Sequence, residues 1–152
     1  MSTDERRRKG LEKMNEVYGW EMPDIQGDPF YDLTVEHLFG TIWTRPGLSM
    51  REKRMMTLTV VTALGNSELA EIQTNAALAN DELTVEELKE MAVFLTHYLG
   101  FPLGSKLDGV VAKVAKQRRK AAERGEGEDK KANVNAAVQM HSGGKVHDQR
   151  DE

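Results

Sequence analysis

EHLFGTIWTRPGLSMREKR, residues Glu36–Arg54, joins two helices through a sharp corner. Arg45-Pro46-Gly47 cannot continue a helix, because proline disfavours the helical region for the residue before it. Upstream, Asp28 has the form of an N-cap with Pro29 at the first helical position. A helix is therefore expected from Pro29 to about Trp43, with Leu33, Glu36, His37, Gly40 and Trp43 near one another on it. Downstream, Ser49 followed by Glu52 forms a capping box, so a third helix starts at Met50 and runs to about Leu64. A carboxylate, an imidazole, an indole and arginines thus crowd one corner beside an apolar face. That mixture suits a pocket for a small anionic molecule.

The same reading extends outward. Asp4–Tyr18 carries Leu11, Met14, Val17 and Tyr18 at helical spacing. Ser67 opens a fourth helix through Ala79. Thr84 and Glu87 form a second capping box, opening a fifth helix that ends with Leu99 before Gly100. A sixth starts near Pro102, passes Val110, Val111 and Val114, and enters the charged run 116–124. The expected fold class is all-α with about six helices. Residues 1–124 form one helical domain and residues 125–152 a polar tail with little to bury. After Arg54 the third helix reads MMTLTVVTALG and the fifth reads MAVFLTHYLG, so both are expected to be central. A core this small cannot surround two such helices, and the excess apolar surface implies a homo-oligomer. The alternative is a tight monomer in which Thr57, Thr59 and Thr62 face water.

Composition removes several function classes. The chain has no cysteine, so disulfides, thiolate metal sites and thiol chemistry are excluded. Its four histidines are scattered (His37, His97, His141, His147), and no metal site is expected. A net charge of −4 gives no footprint for nucleic acid. No apolar run is long enough for a membrane span. The start, MSTDERRRKG, lacks the apolar stretch of a signal peptide, so the cytoplasm is the default expectation.

The order of these motifs resembles the carboxymuconolactone decarboxylase family. The pieces that carry the resemblance are EHLFGTIWTRPGLSMREKR, TLTVVTALGNSELAEI and AALANDELTVEELKEMAVFLTHYLGFP, within a match from about Arg7–Gly10 to Val114. The resemblance implies an all-helical, alkylhydroperoxidase-D-like subunit built around a helical hairpin and assembled as a trimer or hexamer. It also implies a cofactor-free lyase of aromatic catabolism, or a thiol peroxidase relative. The absence of cysteine excludes the peroxidase branch. The decarboxylase branch carries a histidine shortly before the AAL segment. Counting back from AAL reaches Gln73, and counting forward from Glu68 reaches Ile72. Glutamine can donate and accept hydrogen bonds but cannot carry a proton near neutral pH.

Loss of CO2 from a lactone acid requires that the carboxylate be held, the enolate stabilised and the carbon protonated. Arg45, Arg51 and Arg54 are candidates for the first task, since a guanidinium matches a carboxylate in two places. Arg51 and Arg54 could equally pair with Glu52, Glu36 or a neighbouring subunit. The assignment taken forward gives Arg45 and Arg51 the anion, Glu36 or His37 the proton transfers, Trp43 the pocket wall, and Gln73 a hydrogen bond where the histidine usually sits. Glu68 reads as a helix-start carboxylate and His97 as a packed histidine. KQRRK at 116–120 reads as a solvated helix end. The other reading is a catalytically silent oligomeric binding or scaffold subunit.

Overall fold

The computed structural model describes residues 1–125, and every regular element among them is helical. The tail expected over 125–152 lies outside the described residues, apart from Gly125. The described chain forms two compact units, one over Met1–Arg45 and the other beginning at Pro46.

The first unit pairs α1 (Thr3–Tyr18) with α2 (Pro29–Leu33), which runs directly into a π-helical segment, Thr34–Ile42. Ser2 caps α1 and Asp28 caps α2, each by accepting a backbone N–H. The sequence suggests one α-helix to Trp43. Instead the hydrogen bonds step by five, as where the Trp43 N–H donates to the Leu38 carbonyl at 2.9 Å. The wider turn keeps residues four apart near one face, so Val35, Phe39 and Trp43 are all buried. The expected shared face of Leu33, Glu36, His37, Gly40 and Trp43 is broken up: Leu33 and His37 are exposed and Glu36 is half-buried.

α1 crosses the π segment at two glycines. A methyl group on Gly10 would lie 2.1 Å from the Val35 carbonyl oxygen, and one on Gly40 would lie 3.5 Å from Gly10 Cα. At Gly10 no larger residue permits that approach, whereas at Gly40 the distance is an ordinary contact. Trp20, Tyr18, Phe39 and Trp43 form a chain of ring contacts, with centroids 6.0, 5.6 and 6.2 Å apart.

The second unit holds α3 (Met50–Ala63), α4 (Ser67–Ala79), α5 (Val85–Leu99) and α6 (Phe101–Glu123). Both capping boxes form, Ser49 with Glu52 and Thr84 with Glu87. α4 is capped by Asn66 rather than Ser67, its side chain accepting from the Leu69 N–H. α5 and α6 make an antiparallel hairpin about Gly100, tied by Lys89 Nζ to Asp108 at 2.8 Å. Its tightest point is Gly104, where a methyl group would lie 1.9 Å from Thr96 Oγ1. Leu58, Leu88, Leu95, Leu107 and Val111 fill the main core, and Val61, Ala70, Val110 and Val114 a second one.

The central helix is α4, with seven of its 13 residues buried. α3 and α5, expected to be central, each keep an apolar stripe in solvent. On α3 the stripe is Met56, Val60 and Leu64; on α5 it includes Phe94 and Tyr98. α4 wins the centre because Ala70, Ala76 and Ala77 let α3 and α6 approach closely, which large side chains prevent. The threonines of α3 do not form a wet face. Thr62 is buried, and the hydroxyls of Thr57, Thr59 and Thr62 donate to carbonyls four residues back. His97 is exposed rather than packed, with Nδ1 2.8 Å from the Val93 carbonyl.

Candidate functional site

Polar chemistry in the second unit converges on Glu82. α4 ends in a Schellman turn, with the Asp81 N–H donating to the Leu78 carbonyl at 3.3 Å and the Glu82 N–H to the Ala77 carbonyl at 2.9 Å. Asp81 takes φ 52° to close it, a left-handed conformation that aspartate tolerates better than most residues. The turn aims the Glu82 carboxylate inward. Arg54, fully buried, meets it with Nε at 2.7 Å and Nη2 at 3.3 Å, and Asn80 Nδ2 adds a donor at 3.2 Å. Arg54 Nη1 also donates to Gln73 Oε1. Two buried charges matched this closely hold one another, and removing either would strand the other.

Gln73 gains a fixed orientation from this contact. Arginine only donates, so the Gln73 oxygen must face Arg54 and its NH2 group is the part left to act elsewhere. Thr74 follows it, fully buried, with a hydroxyl that has no hydrogen-bond partner among the described residues. Ile72, the other position reached by counting, is buried and apolar.

Arg51 bridges the same turn from outside. Its Nε donates to the Glu82 carbonyl at 3.1 Å and its Nη2 to Glu87 Oε1 at 2.8 Å. The Thr84 backbone N–H of the capping box, and then Arg51, hold the Glu87 carboxyl below its ordinary range. Both side chains are nearly half exposed, so the pair is worth little on its own. Arg51 also stands at one end of a groove of about 870 Å³ between α3 and α5, whose walls include Met56, Val60, Met91 and Phe94.

In the first unit the organising cation is Arg7. Its guanidinium donates to Asp24 at 2.8 and 2.5 Å, to Asp32 at 2.5 Å and to the Ile25 carbonyl at 2.7 Å. Glu36 is its third acid, 3.7 Å from Nη1. The hydrogen bond from Arg7 pulls the Asp24 carboxyl below its usual value, and Asp24 in turn lifts Arg7 above its own. Burial pushes the Tyr31 hydroxyl up to about 12, and that hydroxyl donates to the Pro23 carbonyl. Beside this cluster His37 is exposed, Trp43 is buried against Phe39, and Arg45 is exposed just past the helix end.

The sequence-derived set therefore divides by unit. Glu36, His37, Trp43 and Arg45 belong to the first, and Arg51 and Gln73 to the second, where Glu82 and Arg54 link them. Arg51 and Arg54 pair with Glu87 and Glu82, not with Glu52 or Glu36. Glu82 and Asn80 escaped the sequence reading because NDEL looks like an ordinary solvent turn. A signal was present all the same: an arginine followed by an apolar run must find a counter-ion if it is buried. No cluster of three metal-ligating side chains exists among the described residues, and none of their helices is long and apolar enough to cross a membrane.

Residues 28–112, more than half of the chain, match the carboxymuconolactone decarboxylase family. The chain belongs to that family. A 4-carboxymuconolactone decarboxylase of Acinetobacter baylyi is 29% identical over 110 residues, covering 67% of this chain and 81% of that protein. No solved structure matches the chain. The family match takes in α2, the π segment, α3, α4, α5 and the first half of α6, and it leaves α1 outside.

Proposed function

We propose that this family member binds a small cyclic or aromatic carboxylate, or its lactone, and acts on it as a cofactor-free carboxy-lyase or isomerase through proton transfer. The observation that carries the reading is the orientation of Gln73 at the place where the decarboxylase branch keeps a histidine. Arg54 holds its oxygen, which leaves a neutral NH2 donor suited to a developing enolate or lactone oxygen. A fixed amide cannot exchange protons, so the reaction needs a further acid–base group, for which Glu36 and His37 are the candidates by sequence. Arg51 takes the substrate carboxylate by exchanging Glu87 for it at little cost because both are exposed. Arg45 for the anion and Trp43 for the wall are likewise candidates by sequence. The working protein is a homo-oligomer, trimer or hexamer, of the cytoplasm.

The test is a thermal-shift series with 4-carboxymuconolactone and simple aromatic carboxylates, run on wild type, Arg51→Ala and Gln73→Leu. A ligand at a hundred times its Kd adds about 2.7 kcal/mol to native stability, an unfolding shift of several degrees. The expected result is a shift in wild type that falls in both variants, with lactone consumption followed by absorbance. Equal shifts in all three proteins remove Arg51 and Gln73 from the site.

A second reading is a silent binding or scaffold subunit. It draws on the ion pairs: Arg51 and Arg54 already have carboxylates of their own chain. No shift and no turnover across the panel would favour it over the enzyme.

A further inference from the structure

Glu82 touches both arginines of the candidate site in the second unit, and it does so with different atoms. Its main-chain carbonyl accepts from Arg51 Nε at 3.1 Å, and its carboxylate accepts from Arg54 Nε at 2.7 Å and Nη2 at 3.3 Å. The main chain is itself fixed, because the Glu82 N–H closes the Schellman turn on the Ala77 carbonyl at 2.9 Å. Water does not compete for the inner pair, since the Arg54 side chain is 0% and that of Glu82 7% exposed. Arg51 and Glu87 are nearly half exposed, so their pair exchanges readily.

This difference sorts charge across the site. Gln73 is buried beside Arg54, which holds its oxygen. A buried guanidinium left alone there would draw in an anion, because Coulomb attraction is strong where water is excluded. Glu82 cancels that attraction. What remains at Gln73 is an oriented, uncharged NH2 donor, whose complement is an uncharged carbonyl oxygen. A carboxylate in the same place would lose its hydration for a single neutral hydrogen bond.

We propose that Glu82 is a positioning residue that decides which ligands the site accepts. Its main chain anchors Arg51, and through Arg54 its carboxylate keeps the Gln73 end neutral. The accepted class is a small ring acid with one carboxylate at Arg51 and an uncharged carbonyl oxygen at Gln73; a second carboxylate at Gln73 is refused. The inference rests on the ligand reading above, and Glu82 itself touches no ligand.

The test measures binding of benzoate, 4-acetylbenzoate and terephthalate to the full chain by calorimetry. Wild type should bind 4-acetylbenzoate about tenfold more tightly than benzoate, the worth of one well-placed hydrogen bond, and terephthalate no more tightly than benzoate. Glu82→Gln keeps the shape and leaves Arg54 uncompensated, so terephthalate should become the tightest of the three. Arg54→Met combined with Glu82→Leu frees the Gln73 amide to turn; the acetyl preference should shrink to less than about threefold, with no gain for terephthalate. A merely structural Glu82 would weaken all three probes alike in either variant. The double variant decides the matter where Glu82→Gln fails to fold. The proposal is overturned by a wild type that prefers terephthalate, by Glu82→Gln with the wild-type ranking, or by a double variant that keeps the acetyl preference. Benzoate bound through Arg51, lost in Arg51→Ala, with no acetyl preference in wild type would sink this inference and leave the ligand reading standing. A wild type that binds none of the probes sinks both.

Discussion

α4 buries seven of its 13 residues, among them Gln73, Thr74 and Asn75, whereas α5 buries only Leu88, Ala92 and Leu95 and turns Val93, Phe94 and Tyr98 outward. The polar helix sits between α3 and α6, and the apolar one lies at the edge against α6. Side-chain size explains the exchange. A helix flanked on two sides must be slim, and the alanines of α4 make it so. Its polar groups are tolerated because Arg54 and Glu82 supply Gln73 with a partner. The bulky side chains of α5 instead stand in solvent along its outer face.

The contrast can be broken most forcefully at Arg54. Arg54→Met strands the Glu82 carboxylate in the interior, and urea unfolding should show a loss of about 3–5 kcal/mol. Arg54→Met combined with Glu82→Leu should recover most of that, since an apolar pair avoids the desolvation of both ions. The edge helix is most vulnerable where α6 touches it. Gly104→Ala forces a methyl group into Thr96 and should cost about 1–3 kcal/mol in the same experiment.

Thr74→Val tests whether the orphaned hydroxyl of α4 contributes anything. The swap keeps the shape and removes a buried donor without a partner, so stability should hold or rise by up to about 1 kcal/mol. Acid produces the smallest effect and separates the helices by their caps. Glu52 and Glu87, in the boxes of α3 and α5, both titrate below their ordinary value of 4.5, chiefly through backbone hydrogen bonds to Ser49 and Thr84. A depressed carboxyl stabilises the fold above its unfolded pKa, and that contribution fades as pH falls through the folded value. Below about pH 4.5, the protection of amides in the first turns of α3 and α5, measured against the intrinsic exchange rate at the same pH, should fall. The first turn of α4 should hold, because its Asn66 cap does not titrate.

Caps and breakers were legible in the sequence because they act locally. Asp28-Pro29, Ser49 with Glu52, and Thr84 with Glu87 placed helix starts that the structure repeats. Layering was not legible, because it depends on which helix is narrow enough to be enclosed, a property of neighbours. The π-helical stretch was hidden for a related reason. It packs against α1 at Gly10, a contact between residues far apart in the chain. At the site, Arg51 and Gln73 could be named from motif and spacing, but Glu82 could not, since only the Schellman turn at Asp81 carries it inside.

The reach of α1 sets a practical boundary on the molecule. Arg7 and Gly10 lie ahead of the 28–112 family match, yet the first is bonded to the acids leading into the π segment and the second admits its backbone. A fragment trimmed to the matched residues would begin with Asp32 and Glu36 bereft of their counter-ion and Val35 facing no helix at all. A fragment that keeps these contacts therefore starts upstream of the family match.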